Sequence, residues 1–124
     1  MSERLQFIRV RSRLTVVIRF SGDDKVQRAL TRDIGVTGVC LLSESPLKAG
    51  ELISVELLLP DRTSKPLAFT GEVVWSKRIE GATEGTDESA IESGVRFVTI
   101  DPKERALLMQ WVALNALHPT LGDR

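Results

Sequence analysis

Cysteine and histidine are almost absent from the 124 residues, Cys40 and His118 being the only examples. One thiol cannot build a disulfide framework, and one histidine with one cysteine cannot supply a nitrogen and sulfur metal site. His118 stands beside Pro119 in a C-terminal tail with little to orient it, which disfavours a role as catalytic base. Tyrosine is missing, and four phenylalanines and two tryptophans are too few for the interleaved aromatics on which single-stranded nucleic acid stacks. Charge of one sign is also lacking: 17 basic residues balance 17 acidic ones, so no global field recruits nucleic acid or an anionic membrane. No stretch approaches the ~18 apolar residues of a membrane span, and the opening MSERLQFIRVRSR has no apolar core of signal-peptide type. P-loop, nucleophile-elbow and dinucleotide fingerprints do not occur, and the acids between 84 and 92 lack the spacing of a calcium loop. The expectation is a cytoplasmic protein that is not an enzyme, needs no metal or cofactor, and neither binds nucleic acid nor inserts into a membrane.

What is present is an ordinary soluble composition, 42% hydrophobic and 27% charged, in a length that suits one domain. RLTVVIRF (13–20) is rich in β-branched residues and closes on the turn formers SGDDK. VQRALTRDI pairs back on it as a hairpin, and the short apolar GVCLLS (38–43) follows, with Cys40 as a buried structural thiol. ELISVELLLP and PLAFTGEVVWS each alternate with the period of a half-buried strand, the second placing Leu67, Phe69, Val73 and Trp75 on one face. A polar, acidic stretch from Ile79 to Glu92 reads as a long loop, and SGVRFVTI as a sixth strand. The period then lengthens in DPKERALLMQWVALNAL. There Asp101 is the expected N-cap, Pro102 the first helical residue and Glu104 the reciprocal member of a capping box. The expected fold is mainly β, a small six-stranded antiparallel barrel with a C-terminal helix over about 102–117. Residues 1–13 are expected to form a flexible arginine-rich arm, 14–118 the barrel and helix, and 119–124 a tail.

Two features carry recognition chemistry. Arg4, Arg9, Arg11, Arg13 and Arg19 crowd the first twenty residues against one acid, Glu3. Arginine offers a rigid fork of donors that fits phosphate oxygens or the O6 and N7 edge of guanine. The second feature is TRDIGVTGVCLL, where Asp33 can accept from the opposite guanine edge while Gly35 and Gly38 permit positive φ and close approach of a ligand to the backbone. By itself this stretch also fits a glycine-bearing bulge between strands.

The two together resemble the PilZ family, bacterial receptor domains for cyclic di-GMP, whose signature is Arg-x-x-x-Arg followed after a hairpin by Asp/Asn-x-Ser-x-x-Gly. Arg9 and Arg13 fit the pair, or Arg9 is its second member with Arg4 one residue out of register. DIGVTG fits the second motif at Asp33 and Gly38, with Gly35 where the family has serine. GEVVWS, GVRFVTIDPKERALL and the closing helix also match the family's layout. The resemblance implies a split β-barrel and a cyclic di-GMP site at Arg9, Arg13, Asp33, Gly35 and Gly38, with Arg4, Arg11 and Arg32 secondary. It implies an arm that closes on the ligand and a signal passed to a separate effector protein in motility, adhesion, biofilm or secretion control. The alternative is a degenerate domain that has lost the ligand and acts through protein contacts alone.

Overall fold

The computed structural model describes residues 9–20, 22, 25–60, 65–79 and 90–117. The β-branched segments form β1 (Arg9–Arg11), β2 (Thr15–Phe20), β3 (Val26–Gly35), β4 (Gly38–Ser43), β5 (Leu52–Leu57), β6 (Leu67–Ile79) and β7 (Ala90–Ile100), and one helix follows, α1 (Pro102–Leu117). All pairings are antiparallel. The order β1-β3-β2-β5-β6-β7-β4 returns to β3 through its pairing with β4, which closes six strands into a barrel and leaves β1 as an additional strand on β3. Closure satisfies strand edges that would otherwise offer unpaired backbone to other chains.

Alternation along the strands fills the interior with Val16, Ile18, Ile53, Val55, Leu57, Leu67 and Val73, all essentially inaccessible. Each such side chain stabilises the fold by roughly 1.5–3 kcal/mol relative to exposure. Phe69 and Phe97 meet edge to face at 4.7 Å. The helix lies against β1 and β6 and sends Leu108 and Val112 into the same core, whereas Leu114 points to solvent. Asp101 caps it as expected, its Oδ1 accepting from the Lys103 amide at 2.9 Å. Glu104 does not complete the box: its Oε1 accepts from the Ala68 amide at 2.6 Å, so the residue fastens the helix to the start of β6.

The arm expected over 1–13 meets the sheet earlier. Arg9, Val10 and Arg11 pair with Gly35, Ile34 and Asp33, because Val10 between two arginines supplies the one inward side chain a short strand needs. Residues 1–8 lie outside the described residues, as does the tail from 118. Between β1 and β2 three residues, Ser12–Leu14, face only Thr31 and Arg32. The Ser12 amide donates to the Arg32 carbonyl, the Thr31 amide to the Leu14 carbonyl, and the Leu14 amide to Thr31 Oγ1. The Ser12 and Thr31 hydroxyls are 2.7 Å apart, which satisfies both buried groups at this bulge.

The acidic connection is shorter than the sequence suggests. β6 continues to Ile79 and β7 begins at Ala90, with Lys77 opposite Glu92, so Glu92 is a strand residue. Residues 80–89 lie outside the described residues.

Candidate ligand-binding site

The register of β3 against β4 shifts between Thr31 and Asp33. Thr31 and Ile34 face inward, so the extra residue leaves both Arg32 and Asp33 on the outer surface. On the neighbouring strand Arg9 lies opposite Gly35 and reaches along the face, its Nε 2.6 Å and its Nη2 2.5 Å from Asp33 Oδ1. The two side chains remain 40% and 23% exposed, so the pair stabilises the fold by no more than about 1 kcal/mol.

These residues form one wall of a groove of about 420 Å³ on the outside of the barrel. Gly38 on β4 and Gly94 on β7 lie along it. A Cβ on Gly38 would lie 2.1 Å from the Val95 carbonyl oxygen, so the close approach of β4 to β7 demands glycine there. Neither Gly35 nor Gly38 has positive φ, which is confined to Gly22 and Gly50 among the described residues. Clearance, not the conformational freedom expected from the sequence, explains Gly38.

The far wall comes from β6. Its register against β7 shifts between Val73 and Trp75, leaving Val74 and Trp75 both outward. Trp75, expected on the core face, is 41% exposed because this extra residue inverts the alternation. Its ring covers Gly94, where a Cβ would come within 2.4 Å of Nε1, and Lys77 Nζ sits 5.5 Å from the ring centroid.

At the base of the groove Glu92 is only 4% exposed. Arg32 Nη1 donates to its Oε2, Cys40 Sγ donates to the same oxygen at 3.3 Å, and Lys77 Nζ lies 3.9 Å from Oε1. Burial pushes the Cys40 thiol up, and the Asp33 charge pushes it further, against the opposing pull of Arg32, Arg9 and Lys77. Cys40 is therefore a protonated, buried thiol, as expected, and not a nucleophile. On β7 Arg96 donates from Nε and Nη2 to Glu72 Oε1 at 2.7 and 2.6 Å.

Of the sequence-selected residues, Arg9, Arg32, Asp33 and Gly38 come together in the groove. Gly35 ends β3 opposite Arg9, and strand alternation would turn a side chain at 35 to the same side as Asp33. Arg11 stands opposite Asp33 on β1 and Arg13 on the exposed β1–β2 bulge; neither lines the groove. Arg4 lies outside the described residues. Sequence reasoning missed Glu92, Trp75 and Arg96 as groove residues. Continuing the alternation of Gly94 and Arg96 back to Glu92 is the signal that could have placed the carboxylate.

Among the described residues no group of three or more histidine, cysteine or acidic side chains is placed to hold a metal ion, and no helix is long and apolar enough to cross a membrane.

No curated protein matches the chain by sequence. Solved structures match it by shape. The PilZ domain with c-di-GMP of YcgR from Escherichia coli superposes with a TM-score of 0.71 at 14% identity, covering 90% of each chain. MrkH from K. pneumonia gives a TM-score of 0.76 at 15% identity over 93% of this chain and 50% of its own. The Bacillus subtilis inhibitor of motility MotI/DgrA gives 0.70 at 17% over 93% and 52%. The chain thus spans about half the length of these last two proteins. The sequence model of the PilZ domain matches residues 3–114, nearly the whole length. A barrel of this topology, Asp33 and Gly38 in one groove with Arg9, and that match lead to one conclusion: the chain belongs to the PilZ domain family.

Proposed function

We propose that this chain is a receptor for cyclic di-GMP that binds the dinucleotide in the groove and relays its level to a separate effector protein. The observation that carries this reading is the Arg9–Asp33 pair at the rim of a groove that Gly38 and Gly94 also line. Arg9 retains donors for a phosphate or for O6 and N7 of guanine, and Asp33 accepts from the ring N–H and exocyclic amine of the opposite edge. A base stacking on Trp75 would take the place of Lys77 over the ring. Structures of c-di-GMP complexes of the E. coli YcgR PilZ domain and of Borreliella burgdorferi PlzA support the ligand class by fold. Arg9 is already held in β1, so it reaches Asp33 without closure of the expected arm. Motility, adhesion, biofilm and secretion control are the outputs the family relationship suggests.

Isothermal titration with cyclic di-GMP tests the reading. Binding at micromolar or tighter affinity is expected, weakened about tenfold or more by Arg9→Ala or Asp33→Ala, the worth of one charge-assisted contact. Tight binding that ignores both substitutions would remove the proposed site.

A second reading is favoured by specific observations. Gly35 lacks the family's hydroxyl, and each arginine lining the groove already faces a carboxylate: Arg9 with Asp33, Arg32 with Glu92, Arg96 with Glu72. A domain of this kind would act through protein contacts alone. No heat of binding from a folded chain that still retains a protein partner in pull-down would select it.

A further inference from the structure

The three carboxylates that face groove arginines are not equivalent. The side chains of Asp33 and Glu72 are 23% and 30% exposed and free to exchange their arginine for water, whereas that of Glu92 is 5% exposed. Glu92 is held from several strands at once: by Arg32 from β3, by Cys40 from β4 and by Lys77 from β6. A buried carboxylate acts through a lower effective dielectric than a surface one, so its hold on nearby cations is stronger and less screened by salt. Arg32 is nonetheless half exposed and lines the groove, and Lys77 stands over the Trp75 ring that forms its wall.

We propose that Glu92 is an internal competitor for the cations of the groove, a specificity-determining residue that holds Arg32 and Lys77 and so lowers the affinity of this site for an anionic ligand. The inference rests on the reading of the groove as a site for a phosphate-bearing ligand. A dinucleotide carrying two phosphodiesters meets a rim whose positive charge is nearly cancelled, and Glu92 is the one cancelling group that cannot turn away. The site is thereby set to respond only at higher ligand concentration than its arginines alone would allow.

Glu92→Gln removes the charge and keeps the shape, and half-exposed Arg32 can solvate once released. Cyclic di-GMP is expected to bind E92Q about tenfold more tightly than the parent chain, with a steeper dependence on salt. Most of the gain is expected to be lost in the E92Q/R32A double variant and all of it when K77A is added, because Arg32 and Lys77 are the cations released. If E92Q does not fold, E92D serves: its carboxylate is one methylene further from Arg32, and a smaller gain of about threefold is expected. Inorganic pyrophosphate, followed by amide chemical shifts at 38–40 and 94–96, gives a second arm with no guanine. Parent binding to cyclic di-GMP with equal or weaker binding by E92Q overturns the inference and leaves the receptor reading standing; weaker binding would make Glu92 a direct reader of the base. Absence of cyclic di-GMP binding by both chains, with pyrophosphate still held more tightly by E92Q, overturns the receptor reading and upholds the inference. A gain that survives removal of both Arg32 and Lys77, or no response to either anion, overturns the inference.

Discussion

The two ends of the groove hold the same chemical pair in opposite states. At the rim, Arg9 and Asp33 are both accessible to water, and the second register position of the motif, Gly35, adds nothing to grip them. At the base, Arg32 meets a carboxylate sealed among β3, β4, β6 and β7. An exposed pair is easily broken by a ligand that offers each partner something better, while a buried carboxylate fixes what it touches. In the proposed receptor the rim would recognise the ligand and the base would set how strongly recognition is felt.

The backbone beneath both ends should yield the largest effect. Gly38→Ala places a Cβ against the Val95 carbonyl and must push β4 from β7. A loss of about 3 kcal/mol of stability, seen as a melting temperature lowered by more than about 10 °C, is expected together with loss of ligand binding. Next in size, Arg9→Ala should weaken cyclic di-GMP about tenfold while moving stability by less than about 1 kcal/mol, in keeping with an exposed pair; chemical denaturation and titration on one sample read both. A combined loss of stability and binding would make the rim structural, like the base.

Gly35→Ser sharpens the rim. The hydroxyl would face outward beside Asp33 and Arg9, and binding is expected to tighten severalfold, on the order of 1 kcal/mol, with titration as the measure. The smallest effect concerns the base. Burial raises the Cys40 thiol above its ordinary value of 9.0, so the unfolded chain releases this proton first as pH rises. The corresponding stability is complete below about pH 8 and declines from about pH 9 upward by no more than about 1.4 kcal/mol per pH unit. Cys40→Ala should flatten that decline, measured as denaturation midpoints between pH 7 and 10.

Six strands and the helix were legible in the sequence because apolar alternation and the Asp101–Pro102 start are local properties. Asp33, Gly38 and Arg9 were legible because arginine forks and a glycine-flanked carboxylate suggest recognition wherever they lie. Trp75 and Glu92 were not. Whether Trp75 points in or out depends on one unpaired residue opposite β7, and the burial of Glu92 depends on three other strands arriving around it. β1 escaped notice because its single inward residue, Val10, is framed by arginines whose composition signals a solvated arm.

The register shifts at Thr31/Asp33 and Val73/Trp75 also bear on how such a domain changes over time. Groove side chains stand where one strand carries a residue more than its partner. Deleting Arg32 or Val74 would restore an even ladder in which Asp33 or Trp75 still faces outward, so the strand would keep its register on either side while the groove lost one lining residue. A single in-frame codon deletion at either bulge can thus trim the lining of this groove and leave the barrel's inward face unchanged.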